Sequence, residues 1–153
     1  MRNKIKYVHT NLIARDWKKL AQFYIDVFEC EPLYPERDLN GEWIDKMTGI
    51  PHVKIRGVHL KLPGYDDGPT LEIFGYNETS LKTDAPLIND LGFSHIAFHV
   101  SHVEETINRL IDKGGAKYGE LIEKEIKGLG IIRAIYAADP EGNIIEIQNW
   151  VKE

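Results

Sequence analysis

Short apolar blocks recur along the chain, and in two places their spacing switches from that of a strand to that of a helix. Residues 5–13 (IKYVHTNLI) are rich in β-branched side chains and too short to argue for a helix, so they predict a strand. Asp16 then stands where an N-cap belongs. After it, Trp17, Leu20, Ala21, Tyr24, Val27 and Phe28 recur at helical spacing until Pro32, which is expected to end the helix. LYPERDLNGEW predicts a short strand or turn, and WIDKMTG a single helical turn stopped by Gly49 and Pro51. Two strands follow, VKIRGVHLKL and PTLEIFGYN, joined by the turn-rich PGYDDGP.

A polar connector over residues 77–92 precedes a second round of the same order. It runs as strand GFSHIAFHV, helix VEETINRLIDK closed by Gly114–Gly115, a weak strand near AKYGELIEKEI, strand GIIRAIYAAD, a DPEGN turn and a final strand IIEIQNW. Setting His9 on His95 places Asp16 on His102 and Trp17 on Val103 without a gap. Setting Glu72 on Glu146 places LEIFGY on IEIQNW. The chain thus predicts strand, helix and three strands, written twice: module one over about residues 5–76 and module two over about residues 93–150, in a single domain spanning 1–153.

Composition narrows the function classes. With 153 residues, 42% hydrophobic and 28% charged, the chain can bury one good core or two small modules sharing one. A formal charge of -5 with dispersed lysines gives no footprint for nucleic acid. No apolar run approaches the roughly 20 residues of a membrane helix, and the basic start lacks the apolar run of a signal peptide. A cytoplasmic protein with no membrane partner is therefore expected. The one cysteine, Cys30, cannot close an intrachain disulfide and reads as a small, partly buried residue at a helix end.

The candidate chemistry follows from the duplication. Each module opens on a strand with a histidine, His9 or His95, and closes on a strand with a glutamate, Glu72 or Glu146. Two imidazoles and two carboxylates on rigid strands make a ligand set for a divalent metal, provided the halves face each other. A carboxylate flanked by apolar neighbours also calls for a compensating charge, because burying it alone costs several kcal/mol. His99, four residues after His95 on the same strand, reads either as a second polar group of a cavity or as an edge or core histidine. Arg56 and Arg133 read as contacts for an acidic substrate group or as partners of surface acids. His59 and His102 read as structural, the latter near the second helix cap.

The motifs HTNLIARDWKKLAQFY and DPEGNIIEI, with the four ligand positions, resemble the vicinal oxygen chelate superfamily, which includes glyoxalase I, methylmalonyl-CoA epimerase, extradiol dioxygenases, fosfomycin-modifying enzymes and bleomycin-binding proteins. The resemblance covers residues 5–150. It implies an α+β fold in which paired βαβββ modules form an open, cupped mixed β-barrel. It also implies His9, Glu72, His95 and Glu146 on one ion (nickel, zinc, cobalt, manganese or iron), with about two positions left for neighbouring substrate oxygens.

Four protein ligands favour Lewis-acid over oxygen chemistry, and a carboxylate at position 72 is similar to the glyoxalase I pattern. The expected reaction is a lyase or isomerase step on a small oxygen-chelating substrate, moving a proton through an enediolate. Glu146 is the preferred base and Glu72 the second choice. Where glyoxalase I often has an arginine for glutathione, this chain has Ile13, with Arg15 two residues on. The long insertion DLNGEWIDKMTGIPHVKIRGVHL is expected over the cavity mouth, with Trp43, Met47 and His52 as an apolar wall or a lid. A homodimer is expected. The alternatives are a metal-free binding protein of the bleomycin-resistance type and an iron-dependent extradiol dioxygenase.

Overall fold

The structure, a computed structural model that describes residues 4–152, divides into two compact units between Leu81 and Lys82. In the first, strand β1 (His9–Ile13), helix α1 (Trp17–Phe28), strand β2 (Glu31–Asn40), helix α2 (Glu42–Thr48), strand β3 (Lys54–Lys61) and strand β4 (Thr70–Tyr76) build a four-stranded sheet in the order β1-β4-β3-β2. β1 runs parallel to β4, and the other two pairings are antiparallel. The parallel pair needs a crossover, and α1 belongs to it.

The second unit repeats the plan with β5 (His95–His99), α3 (Val103–Asp112), β6 (Ala116–Lys117), β7 (Ile122–Ile126), β8 (Gly130–Ala138) and β9 (Ile144–Val151). Its order is β5-β9-β8-β6, with β7 also pairing β8, and the first and last strands are again parallel. The paired βαβββ plan is therefore present, as two open sheets each hydrogen-bonded within its own unit.

Each core is made by one helix lying on one sheet face. α1 turns Leu20, Tyr24 and Val27 inward and packs on β3 and β4, where Val58, Leu60, Leu71 and Ile73 are buried. α3 turns Val103, Ile107 and Leu110 inward and packs on β8 and β9, where Ile135, Ala137, Ile145 and Ile147 are buried. Strand alternation then fixes the rest: residues one place along from these core positions point to the opposite face of their sheet.

Several boundaries differ from the sequence reading. β1 starts at His9 rather than residue 5, and Ile5, Tyr7 and Val8 are exposed, so these large apolar side chains do not join the core. α1 ends four residues before Pro32, because Glu29 takes the left-handed conformation of a C-cap (φ 57°). Pro32 instead lies in β2, an edge strand, where a missing N–H costs little. The expected short strand after it is ten residues long, with a register shift between Leu33 and Arg37. WIDKMTG belongs to a seven-residue helix, α2, whose Ile44 packs with Val53, Ile55 and Phe74. The weak strand near AKYGELIEKEI is two strands, β6 and β7.

Asp16 caps α1, its carboxylate accepting from the Lys19 N–H at 3.0 Å, and His102 holds the matching N-cap of α3 without a side-chain bond. Cys30 is 2% exposed just beyond the α1 C-cap, and burial raises its thiol to about 12. We expect a disulfide reagent to leave it unmodified in the folded protein at pH 8 and to titrate one thiol once the chain is unfolded; reaction at the free-thiol rate in the folded protein would contradict this burial.

Candidate metal centre

The sheet face away from α1 carries the polar cluster of the first unit. β4 is a central strand, and its Glu72 stands directly opposite Asn11 on β1 and His59 on β3. His9 lies two residues from Asn11 on the same face, opposite Thr70. The result is a set of three donors within one sheet. His59 Nε2 lies 2.6 Å from Glu72 Oε2, and His9 Nε2 lies 3.6 Å from Glu72 Oε1. The two imidazole rings meet edge to face at 5.4 Å. Candidate ligand atoms of His9, His59 and Glu72 all fall within 4.8 Å of one another, so these three residues can hold a metal ion.

Two neighbours orient the donors. The Asn11 side-chain amide donates to Glu72 Oε1 at 2.7 Å, and His59 Nδ1 lies 2.9 Å from the Thr70 hydroxyl. A hydroxyl both donates and accepts, so Thr70 can hold the ring with a proton on Nδ1, which leaves Nε2 as the ligand atom. Substituting Thr70→Val keeps the shape and removes that bond. We expect cobalt(II) affinity to fall about 10- to 100-fold in Thr70→Val and to recover in Thr70→Ser, measured by competition with a chromophoric chelator. Equal affinity in wild type and the valine variant would refute the orienting role.

The electrostatics suit a cation. Glu72 is 9% exposed, and among the described residues its ion-pair partners are His9 and His59. Burial, above all, pushes the His59 pKa below the ordinary histidine value, against the pull of Glu72; the charge of Arg37 and then His9 act in the same downward direction. His59 is therefore biased towards the neutral imidazole that a metal requires, and the buried carboxylate is left without a full countercharge. A divalent ion would supply it, so the residues present fit the cofactor.

The second unit carries the matching pair. His95 Nε2 lies 3.2 Å from Glu146 Oε2, with Ser94 Oγ 3.1 Å from His95 Nδ1. Tyr136 stands opposite Glu146 on β8, as His59 stands opposite Glu72 on β3, and its ring meets His95 edge to face at 5.1 Å. The frame is repeated but the orienting groups are not: Asn11 corresponds to Ala97 and Thr70 to Ile144. His99 lies on the same face, opposite Gln148.

His9 with Glu72 and His95 with Glu146 are thus each brought together within their own units. Arg56 and Arg133 alternate with His59 and Tyr136 along their strands, so they point to the other face. There Arg56 pairs with Asp38 at 3.4 Å. Arg133 pairs with Glu104 on α3 and, at 3.2 Å, with Glu123, in a shallow cleft at the start of α3. Trp43 and Met47 are exposed on α2, and His52 has a left-handed backbone (φ 57°).

The residue that sequence reasoning missed is His59, read there as structural. A signal was available in the internal repeat: Ile55-Arg56-Gly57-Val58-His59 aligns on Ile132-Arg133-Ala134-Ile135-Tyr136, which sets a histidine and a tyrosine at equivalent places beside the two glutamates.

Paired βαβββ units with a histidine on the first strand and a glutamate on the last strand of each define a class of protein, and comparison with known sequences gives its family. Residues 6–147 match the family model of the Glyoxalase/Bleomycin resistance protein/Dioxygenase superfamily, and the chain belongs to that superfamily. No curated protein matches the chain.

Among solved structures, a glyoxalase family protein from Bacillus cereus is 18% identical, with 98% of this chain and 97% of that one covered and a TM-score of 0.80. A glyoxalase family protein from Enterococcus faecalis is 24% identical, with 95% and 96% covered and a TM-score of 0.56. The fosfomycin resistance protein FosX from Listeria monocytogenes, complexed with manganese(II) and a sulfate ion, is 19% identical, with 99% and 95% covered and a TM-score of 0.54. At these identities the likeness is one of fold. No helix among the described residues is long and apolar enough to cross a membrane.

Proposed function

We propose that the protein is a divalent-metal-dependent lyase or isomerase of the glyoxalase type, acting on a small oxygen-chelating substrate by proton transfer through an enediolate. The observation that carries this reading is the convergence of His9, His59 and Glu72 within 4.8 Å on one sheet face, around a buried carboxylate lacking a full countercharge. The bound ion would act as a Lewis acid towards substrate oxygens, lowering the barrier by several kcal/mol.

The chain's own residues divide the remaining work. Glu72 and His59 are fixed by Asn11 and Thr70, which suits groups that stay in place through a reaction. Glu146 lacks such neighbours at the equivalent positions, Ala97 and Ile144, and we assign it the movable proton: its carboxylate takes the proton α to the substrate carbonyl and returns it to the adjacent carbon. His95, 3.2 Å away, holds the carboxylate in place before the first transfer and again after the second. His95 and Glu146 are also the remaining candidates of the four-ligand set, and a single domain working as a homodimer is part of the same proposal.

The test is metal content of protein purified without chelator, followed by isomerisation assays on α-oxoaldehyde adducts with nickel, cobalt, zinc or manganese restored. Bound metal and activity that is lost in Glu146→Gln with metal retained would support the reading. Ligand binding undiminished by metal removal would instead favour a binding protein of the bleomycin-resistance kind. A metal count in His9→Ala and His95→Ala decides whether both donor pairs serve one ion.

A second reading has its own observation. Two histidines and one carboxylate in a single sheet are the ligand types of an iron oxygenase site, which keeps its other positions open. Oxygen uptake with catechols after anaerobic iron(II) loading would mark an extradiol-type dioxygenase, and its absence would leave the isomerase reading standing.

A further inference from the structure

The face that bears the donor set also bears a cation for which the proposed chemistry has no role. Arg37 lies on β2 opposite Gly57, and Gly57 is two residues from His59 on β3, so Arg37 and His59 share a sheet face. The register shift between Leu33 and Arg37 sets it opposite Gly57 rather than Ile55: Leu33 pairs with His59, and the ladder resumes with Arg37 only two places further along β3. Gly57 is required at this point, because a Cβ would fall 2.4 Å from the Phe74 ring and 2.1 Å from the Ile73 carbonyl oxygen. The Phe74 ring therefore lies beside His59, with centroids 6.1 Å apart, and is apolar flooring between the donors and the α2 cluster.

Arg37 is only half-exposed, and its Nη1 donates to the Pro35 carbonyl. Among the described residues no carboxylate pairs with it, whereas Arg56 and Arg133 on the helix-side faces are matched with Asp38 and with Glu104 and Glu123. The other cation on this face, Lys61, stands across from Glu31, a residue of opposite charge. With a divalent ion in the donor set, the face would carry the ion and a guanidinium against the single carboxylate of Glu72. That is a surplus of two positive charges in a partly desolvated place, and a neutral substrate would leave it uncompensated.

We propose that Arg37 binds an oxyanion of the substrate beside the His9–His59–Glu72 donors, so that the substrate class is a small oxygen chelator that also carries a carboxylate, phosphate or phosphonate. The guanidinium fork suits such a group, since it can offer two parallel N–H donors to two oxygens while another N–H, on Nη1, holds the Pro35 carbonyl. Arg37 is thus a specificity-determining residue on the edge strand, and the negative charge of the substrate balances what the protein leaves open. This inference rests on the metal-site reading given above.

The experiment compares two chelators on cobalt(II)-loaded protein, followed by the visible absorption of the cobalt. Phosphonoformate chelates and keeps anionic oxygens to spare, whereas acetohydroxamate chelates with none to spare. Relative to wild type, Arg37→Gln is expected to weaken phosphonoformate by about tenfold or more and acetohydroxamate by less than about twofold, with Arg37→Lys recovering part of the loss. Cobalt affinity and thermal midpoint of the apo-protein serve as the folding control. Equal loss for both chelators, or no loss for either, would overturn the role of Arg37 while leaving the metal site intact. If wild type takes up no cobalt, the metal-site reading falls and this inference falls with it.

Discussion

Glu72→Gln is expected to lower divalent-metal affinity by more than about a hundredfold, because neighbours that merely orient a ligand already cost about 10- to 100-fold when removed. The substitution keeps the size and leaves Asn11 and His59 something to hydrogen-bond. What it removes is the negative charge, and that charge is what draws a cation to the site. Glu72 is the one carboxylate in the His9–His59–Glu72 set, and it lies at the middle of the row, opposite Asn11 on one side and His59 on the other. Without metal the variant should be no less stable than wild type, since it relieves a buried charge whose nearest partner is biased towards its uncharged form. Calorimetric titration with cobalt(II) and a thermal melt of each apo-protein measure the two halves of this expectation. Wild-type affinity in the variant would remove Glu72 from the ligand set.

Leu60→Ala tests the other face of the same sheet and should cost about 2–5 kcal/mol of folding stability, the range for truncating a buried leucine. Leu60 is 0% exposed, on the face that α1 covers, while its neighbour His59 points to the donor set. Adjacent residues on β3 therefore have separate duties. His59→Ala should reduce metal affinity with a small change in stability, and Leu60→Ala should reduce stability with a small change in the affinity of the folded fraction. Denaturant unfolding of both variants checks the pair. A stability loss under ~1 kcal/mol for Leu60→Ala would mean that the α1 core is less tightly packed than its burial indicates.

The sequence carried the repeated order of elements because helix and strand periods differ sharply, and because Asp16 and His102 stand at equivalent places ahead of the two helices. It carried His9 with Glu72 and His95 with Glu146 because both pairs recur at the same points of the repeat. It did not carry His59, since a histidine within the apolar run VHLKL looks like any core position until the pairing of β3 with β4 sets it against Glu72. Nor did it show Arg37. Composition cannot reveal a register shift, and without that shift a different residue of β2 would face Gly57. Arg56 and Arg133 drew attention as strand arginines, yet strand alternation turns them to the helix side, where acids already hold them.

The position of Glu72 on a central strand, with partners arriving from a parallel neighbour and an antiparallel one, makes the cation a gauge of correct zippering. Sliding β4 by one residue against β1 and β3 would swing Glu72 under the helix and bring Leu71 or Ile73 out to water. Ion binding would therefore reward only chains whose three strands have locked in the native alignment, and a misthreaded chain would lose that reward at once.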